Sequence, residues 1–426
     1  MPISHNPCAD RDSSLLLALH LPRPQAKMCR LSPRYHFAGW PIKDITMKDE
    51  ITLAPTLDAM EPAIANDGAS GSRQSANAQN RPTTSDVKQL YEKFPYPSHI
   101  VGKGLIRDNG NMLSVLFPDE DFAGKRILDA GCGTGQRANG VAKMFPKAHV
   151  VGVDMTSASL DAARKMAASN GISNIEYRQC NLLELDLGLD FDVIISSGVM
   201  HHLEDPVKGL SRLRAHLNDG GVAMIWLYHA LGEYERFLGR ELLQRLWGED
   251  KSDLDRGAAL MDALRLDLGS HQYGSVSGQA GSEISYQSIN ADAYMHPIVE
   301  AYRLARGLCM MLEAGYDWAA VASLNLIGKS VLVDIEGTID AAYEDISIQL
   351  NDLFEVLDLQ DSYLKLDRLD RLSVIELLLK PTAFTLIAAS PNATGRLPQW
   401  LLKGAFGQDA LEKLQRCGSN NVSILR

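Results

Sequence analysis

Short apolar runs alternate with amphipathic segments between residues 125 and 228. The segments between the runs place apolar residues at helical spacing, as Leu160, Ala163 and Ala167 do before the Asn170-Gly171 stop. The runs themselves are short and rich in Val and Ile, which is typical of buried strands. They lie at 126–129, 149–154, 175–181, 191–197 and 222–228. Strands that alternate with helices predict an α/β fold with a mostly parallel sheet.

The regular alternation is interrupted after residue 228. The pattern predicts helices within 230–267, a Gly/Ser-rich loop over 269–288 and an amphipathic helix over about 297–313. Two further strands are predicted at 318–326 and 382–389, with a helical insertion between them. The second half of the chain therefore completes the sheet and adds helical insertions to it.

The first 84 residues differ from the rest in composition. Segment 63–84 is rich in Ala, Ser, Asn, Gln and Gly and has few large apolar side chains to bury, which predicts disorder. A short helix is expected from Ser85, and it must end before Phe94-Pro95-Tyr96-Pro97. We divide the chain into a disordered extension (1–84), a helical lid segment (85–120), a ligand-binding core (121–229) and the insertions with the last strands (230–426).

Charge and cysteine usage narrow the classes of partner. The net charge of −11 argues against a nucleic-acid partner, because binding phosphates requires a basic face. The six cysteines have no metal-ligand or disulfide spacing, so we predict no metal site. No apolar run is long enough to span a membrane. We therefore expect a cytoplasmic protein that does not bind membranes.

A glycine-rich turn follows the first strand, at Asp129 to Gly135. Glycines at this place let the backbone turn sharply and approach a ligand, and the next helix directs its free N–H groups there. The spacing is GxGxG, whereas a dinucleotide fingerprint is GxGxxG. Asp154 ends the second strand, where a carboxylate accepts hydrogen bonds from ribose hydroxyls. These features predict a nucleoside-containing ligand without a pyrophosphate.

Four motifs in order resemble those of the class I S-adenosylmethionine-dependent methyltransferases: the glycine turn, Asp154, Asn181 and the run from Ser196 to Leu203. One departure is Asn181, where family members usually carry Asp. The resemblance implies a Rossmann-like methyltransferase sheet whose last strand is antiparallel, and S-adenosylmethionine as the cofactor. We expect cofactor binding by Asp129, Gly131, Cys132, Gly133, Thr134, Gly135, Gln136, Asp154, Met155, Asn181, Leu182 and Ser197.

A second resemblance begins before the sheet. The stretch from Tyr91 to Pro97 is similar to a YxxFPYP element found in a bacterial methyltransferase group, some of whose members are fused to tetratricopeptide repeats. That group also has a GCGTGQ loop, a VLHHL-like segment and a D-x-x-x-H-P stretch, which match 131–136, 199–203 and 292–297. The resemblance implies a methyltransferase but no particular acceptor, and no repeats are found in this chain.

The acceptor site is predicted from residues near the carboxyl ends of the strands. His201 and His202 follow the fourth strand, and either one is a candidate general base if the acceptor must lose a proton. The alternative for each histidine is a structural role beneath the loop. Tyr96 either closes the pocket as part of a lid or, with Phe94, fastens the N-terminal segment to the sheet. We predict substrate binding by Tyr96, Tyr228, Asp292 and His296, although a capping role for Asp292 is the alternative.

The sequence thus predicts methyl transfer from S-adenosylmethionine to a small-molecule or natural-product acceptor through N, O or C. Two alternatives stay open: methylation of a peptide or protein side chain, and a non-catalytic binding module with the same fold. Cofactor binding without turnover would indicate the module.

Overall fold

The computed structural model describes residues 82–97, 104–267, 286–336, 339 and 341–419. The predicted disordered extension lies outside these residues except for its last three positions. The predicted Gly/Ser-rich loop over 269–288 lies outside them as far as residue 285. All described residues lie within one compact unit, Ser70–Arg426.

One nine-stranded sheet organises the molecule. Along the sheet the strands follow the order β3-β2-β1-β4-β5-β8-β6-β7, and β9 pairs with β6. The first five strands are parallel to one another, whereas β8 is antiparallel to both β5 and β6. The strands are β1 Arg126–Ala130, β2 His149–Asp154, β3 Ile175–Gln179, β4 Phe191–Ser197, β5 Leu217–Tyr228, β6 Trp318–Leu326, β7 Lys329–Leu332, β8 Ala383–Ala389 and β9 Phe406–Gly407. This arrangement confirms the predicted Rossmann-like fold class.

Helices cover both faces of this sheet. Before residue 268 they are α1 Thr84–Lys93, α2 Asp108–Leu116, α3 Gln136–Met144, α4 Ser157–Ser169, α5 Pro206–Ala215, α6 Tyr234–Trp247 and α7 Leu254–Ala263. In the second half they are α8 Tyr286–Asn290, α9 Leu304–Glu313, α10 Leu350–Leu353, α11 Leu357–Leu364, α12 Arg368–Leu379, α13 Gln399–Lys403 and α14 Leu411–Ser419. A π-helical turn, Ala291–Met295, continues α8.

The alternation of side chains along each strand divides the core into two layers. Leu128 and Ile194 belong to the layer that packs against α5 and α9, together with Leu308 of α9. Ile127 and Val193 point to the opposite layer, which includes apolar side chains of α2 and α3. Burial on both faces explains why the strands have continuous apolar runs.

The amphipathic helix predicted over 297–313 begins only at Leu304. The preceding residues pair with the end of β5, because Tyr302 N–H donates to the Tyr228 carbonyl and Ala230 N–H donates to the Tyr302 carbonyl. These backbone bonds hold residues 297–303 in a non-helical conformation. The predicted start of this helix is therefore wrong. The short strands β7 and β9 were not predicted.

The N-terminal helix α1 is fastened to the α6 region. Leu90 and Phe94 are buried together with Leu243 and Trp247 of α6. At the start of α1, Thr83 N–H donates to Asp86 Oδ2 at 2.7 Å. The helix thereby covers the carboxyl edge of the sheet. None of the helices in the described part of the chain is long and apolar enough to cross a membrane.

Candidate active site

The turn between β1 and α3 is shaped by glycines in the left-handed region. Gly131, Gly133 and Gly135 have φ angles of 85°, 52° and 84°. A Cβ atom on Gly131 would lie 2.4 Å from the side chain of Val199, and one on Gly133 would lie 2.7 Å from the Tyr96 carbonyl oxygen. Glycine is therefore required both by the backbone conformation and by the close approach of neighbouring groups.

Asp154 is held at the end of β2 by three hydrogen bonds. Its Oδ2 accepts from Gly133 N–H at 3.0 Å. Its Oδ1 accepts from the backbone N–H and the hydroxyl of Thr156 at 2.9 and 2.8 Å. Burial raises the pKa of Asp154, and the hydrogen bonds oppose that rise. The carboxylate is thus fixed beside the glycine turn.

Asp129 is buried at the end of β1, where its Oδ2 has no hydrogen-bond partner among the described residues. Burial raises the pKa of this carboxyl group to about 7, although the positive charge of Arg137 opposes the rise. Asp129 lines a small recess together with Cys132 and Gln136. The recess shares Tyr96, Gly131, Gly133 and Ser197 with a larger cavity.

Two polar residues of the predicted cofactor site bond to neighbouring protein groups. Asn181 Oδ1 accepts from Leu183 N–H at 3.1 Å and caps a short 3₁₀ turn. Ser197 Oγ donates to Asn109 Oδ1 at 3.0 Å. Both side chains still line the larger cavity, so each remains available at its wall.

The larger cavity joins the glycine turn to the region of His202. It encloses about 770 Å³, including open solvent at its mouth. One side is lined by the predicted cofactor residues and the other by α1 and the segment after β4. The lining residues are Thr84, Val87, Tyr91, Tyr96, Gly131, Gly133, Asp154, Met155, Ser159, Cys180, Asn181, Leu182, Ser197, Gly198, Val199, His202 and Leu203.

Several predicted site residues lie behind this wall. Gly135 is the N-cap residue of α3, and Thr134 is buried, where its hydroxyl bonds to the Tyr96 carbonyl and Gln136. His201 is fully buried against Tyr228, with ring centroids 3.9 Å apart, and is not among the lining residues. Its placement matches the structural alternative. Tyr96 lines the cavity and its carbonyl accepts from Thr134, whereas Phe94 is packed against α6. The lid role of Tyr96 stays a prediction.

Around His202 lies a group that we call the Asp292 cluster: the half-buried Tyr91 and the buried His202, Tyr228, Asp292 and His296. The carboxylate of Asp292 accepts from Tyr91 Oη at 2.6 Å and from Tyr228 Oη at 3.3 Å. His202 Nε2 lies 3.8 Å from Asp292 Oδ1. The rings of His202 and His296 stack with centroids 3.9 Å apart. Asp292 lies inside the π-helical turn and does not cap a helix, so the capping alternative is wrong.

Burial dominates the electrostatics of the cluster. It lowers the pKa of His202 and holds that of His296 well below the ordinary value. The guanidinium of Arg236 lies 4.2 Å from the ring of Tyr228, and Arg240 donates to the His296 carbonyl at 2.6 Å. Arg236 also pairs with the buried Glu233. Burial thus favours the neutral form of both histidines near pH 7.

Tyr91 was not predicted as a functional side chain. Ile298, whose backbone contacts His202 and His296, was not predicted either. Tyr91 lines the cavity, yet its partner Asp292 is 201 positions away in the chain. No local pattern predicts a contact over that separation. The YxxFPYP resemblance included Tyr91 but implied no role for its hydroxyl.

Comparison with known proteins identifies the domain that carries this site. Residues 121–250 match the family model described as a methyltransferase domain. An uncharacterized protein of Synechococcus is 36% identical over 188 residues, which cover 42% of this chain and 45% of that protein. The ubiquinone biosynthesis O-methyltransferase of Acinetobacter baylyi is 36% identical over 116 residues, covering 26% of this chain and 48% of the enzyme. The chain thus spans about half the length of the curated relatives it matches.

Among solved structures, PKMT2 from Rickettsia typhi in complex with AdoHcy aligns over 70% of this chain and 55% of its own, at 17% identity and a TM-score of 0.42. The predicted family and its cofactor, S-adenosylmethionine, are confirmed. Membership of the YxxFPYP group stays a prediction. Residues 121–250 are thus a methyltransferase domain, as the resemblance to the class I S-adenosylmethionine-dependent enzymes implied.

Proposed function

We propose that the protein transfers the methyl group of S-adenosylmethionine to a small-molecule acceptor bound in the larger cavity. The observation that carries the proposal is the continuity of this cavity. Asp154 and the glycine turn lie at one end, and His202 and Tyr91 lie at the other. A donor and an acceptor in one cavity can meet in the orientation that methyl transfer requires.

The residues of the first end suit the parts of the cofactor. The carboxylate of Asp154 accepts hydrogen bonds from ribose hydroxyls, and Leu182 offers an apolar surface to the adenine. The carboxylate of Asp129, which has an unpartnered oxygen, suits the amino group of the methionine portion. The sulfonium of S-adenosylmethionine supplies an activated methyl group, so the protein has mainly to align the acceptor atom with it.

The second end suits a small acceptor. Its wall includes Val87, Val199 and Leu203, which offer an apolar surface to a small molecule. Helix α1 contributes Thr84, Val87 and Tyr91 to its wall and thereby limits access for a large partner. The similarity to an O-methyltransferase of ubiquinone biosynthesis also supports a small molecule. A lid that excludes water is consistent with methyl transfer.

Calorimetric titration with S-adenosylmethionine and S-adenosylhomocysteine tests the cofactor site. We expect the native protein to bind both, and Gly133→Val to lose affinity by at least about tenfold, or about 1.4 kcal/mol. The substitution forces a Cβ against the Tyr96 carbonyl at a positive φ of 52°, which displaces the turn.

Gly171→Val is the matched control, because Gly171 has a φ of 62° but no atom within 4 Å of the added Cβ. We expect it to bind the cofactor like the native protein. Native affinity in Gly133→Val would contradict our placement of the site. Cofactor binding without methyl transfer to any small molecule or peptide would instead favour the non-catalytic module, and transfer to a peptide would favour the other alternative.

A further inference from the structure

The outer face of α6 carries a row of exposed apolar side chains that we call the α6 stripe. It consists of Tyr234, Leu238, Leu242 and Leu246, which are between 43% and 49% exposed. Residues four apart lie on the same side of a helix, so the four side chains form one row. An amphipathic helix at the surface normally has polar side chains on its outer face. None of the four belongs to an apolar core cluster of the described residues, so packing within the chain does not account for the stripe.

The inner face of the same helix fixes it to the rest of the chain. Leu243 and Trp247 are buried in the apolar cluster that also contains side chains of α1 and α7. Arg236 and Arg240 donate to backbone carbonyl groups within 293–296. The stripe is therefore presented to solvent by a helix that is anchored on its opposite side.

Two exposed charges make this outer face complementary to itself. Glu235 lies in the first turn of α6 and Arg245 in the last. Both are five positions from residue 240, which is also the midpoint of the stripe. A second copy of α6 that runs antiparallel about this midpoint therefore brings its Arg245 to the level of Glu235, and its Glu235 to the level of Arg245. In a parallel pair, by contrast, like charges would lie at the same level.

The apolar side chains have the same symmetry. Leu238 and Leu242 lie two positions on either side of residue 240, and Tyr234 and Leu246 lie six positions away. In the antiparallel pair, Leu238 of each copy lies at the level of Leu242 of the other. Such an interface is isologous, because one patch supplies both sides of the contact.

We propose that the protein forms a two-fold homodimer in which the α6 stripes of two copies pack antiparallel to each other. This inference goes beyond methyl transfer and does not depend on it. The side chains that line the larger cavity include none from 234–247. Dimerisation therefore leaves the cavity walls of both copies unchanged.

The charges beside the stripe favour a second copy over a lipid surface. Helices that bind anionic membranes carry Lys and Arg around their apolar face. Here the exposed neighbours include Glu235 and Glu241, and Arg245 Nε already donates to Glu241 at 2.9 Å. An anionic membrane offers one sign of charge, whereas a second copy offers both signs at complementary levels.

The size of the stripe sets the expected strength of the dimer. A standard interface buries about 800 Å² on each partner, and a row of four side chains is narrower than such an interface. The net charge of −11 adds repulsion between the copies. Salt at 0.15 M screens this repulsion beyond about 8 Å. We therefore expect a dissociation constant of about 1–100 μM, so that more dilute protein is monomeric and its stability is that of a single chain.

Sedimentation velocity of the full chain across this range of concentration tests the dimer. We expect the native protein to change from monomer to dimer as its concentration rises. Leu242→Glu should stay monomeric, because it places a charge at the centre of the apolar contact. Because Leu242 is 47% exposed, the thermal midpoint of the dilute variant should equal that of the native protein.

Leu359→Glu on α11 is the matched control, since Leu359 is 52% exposed but lies outside α6. We expect it to dimerise like the native protein. A native chain that is monomeric at every concentration would overturn the proposal, as would equal losses of dimer in the two variants. Neither measurement requires the cofactor, so their outcome is independent of the proposed function.

Charge reversal tests the antiparallel arrangement. Glu235→Arg and Arg245→Glu should each raise the dissociation constant by about threefold or more, because each places like charges at the same level in both symmetric contacts. The two substitutions together should restore most of the native affinity. Arg245→Glu also breaks the pair with Glu241, but the combined variant does so too, and its recovery therefore reports the contact between copies. No recovery would overturn the antiparallel arrangement.

Co-sedimentation with vesicles of phosphatidylcholine and phosphatidylglycerol tests the lipid surface as the other occupant of the stripe. We expect the native protein to remain in the supernatant. Vesicle binding that Leu242→Glu abolishes, in a chain that stays monomeric without lipid, would overturn the assignment of the stripe to a second copy.

Discussion

At the scale of single residues, the buried carboxyl group of Asp129 has a hydrogen-bonding capacity that the described residues leave partly unused. Its carboxyl group is buried, one oxygen has no hydrogen-bond partner among the described residues, and its pKa is raised to about 7. The positive charge of Arg137 opposes only part of this rise in the pKa of Asp129. A buried acid with an unpaired oxygen beside a ligand recess is typical of a group whose partner arrives with the ligand.

We predict that cofactor affinity rises with pH through about 7 because of Asp129. The ammonium group of the ligand favours the ionised carboxylate, so binding releases a proton from the fraction that is protonated. Below pH 7 that release opposes binding, and above it the carboxylate is already ionised. Calorimetry between about pH 5.5 and 8.5 measures the effect.

Asp129→Asn removes the titrating group and should flatten this pH dependence while it weakens binding. Asp121→Asn is the control, because Asp121 is an exposed partner of Lys147 away from the cavity lining. A native pH dependence in Asp129→Asn would assign the proton release to another group.

Residues that act through near neighbours in the chain were predictable, and residues that act over long separations were not. The glycine turn and Asp154 each follow directly from a strand, so their spacing alone indicated a shared site. Tyr91 and Asp292 are joined by a hydrogen bond across 201 positions. Ile298 contacts the two histidines through its backbone carbonyl and N–H groups. Because almost every residue type has these groups, the sequence gives no signal for such a contact.

At the scale of elements, α9 shows how an amphipathic helix is fixed to the sheet. Leu304, Leu308 and Leu312 are buried in the core layer on that face of the sheet. Burial of such a side chain stabilises the fold by about 1.5–3 kcal/mol relative to its exposure. The helix thus contributes to the stability of the whole sheet and not only to its own packing.

We predict that Leu308→Ala lowers the free energy of unfolding by about 2–5 kcal/mol, because it leaves a cavity in this layer. Leu238→Ala on α6 is the matched control, since Leu238 is 48% exposed and its truncation should change stability by less than about 0.5 kcal/mol. Denaturant titration followed by circular dichroism compares the two. Equal losses would contradict the assignment of Leu308 to the core.

Elements were predicted well where a local pattern decides them. Apolar runs mark β1, β2, β4 and β5, whereas the edge strand β3 mixes polar and apolar residues. The helices between the strands have helical spacing. The segment 297–303 has the same apolar spacing as a helix, but its backbone bonds to the end of β5 instead. Strand β7 is a four-residue strand with two exposed positions at the sheet edge, so its pattern is too weak to indicate a strand.

At the scale of the whole molecule, the cavity connects regions that are distant in the chain. Its wall includes α1, the turns after β1, β2 and β4, and the 3₁₀ segment after β3. A ligand bound there contacts several of these regions together. Binding to the folded state alone stabilises that state by mass action.

We predict that S-adenosylhomocysteine at about 100 times its dissociation constant stabilises the fold by about 2.7 kcal/mol. The thermal midpoint should therefore rise with ligand concentration in the native protein and in Gly171→Val. In Gly133→Val the rise should be at most about half as large, because a tenfold weaker affinity leaves about 1.4 kcal/mol of stabilisation at the same concentration. Differential scanning calorimetry measures the midpoint, and an equal rise in Gly133→Val would place the ligand elsewhere.

The fold class at this scale followed from the order of strands and helices, because parallel strands admit few arrangements. The antiparallel direction of β8 was implied by the family resemblance, whereas its position between β5 and β6 was not predicted. The packing of α1 over the edge of the sheet depends on the contacts of Leu90 and Phe94 with α6. A sequence pattern does not indicate which two surfaces will be in contact.

The hydrogen bond from Tyr91 to Asp292 has a consequence for the order of events during synthesis. The five parallel strands end at Tyr228, so the ribosome releases them before residue 292 is made. A chain folding as it emerges can complete the cofactor end of the cavity while the acceptor end still lacks its carboxylate. The nascent protein can thus complete the proposed cofactor end of its cavity before Asp292 is translated, and the opposite end is assembled only afterwards.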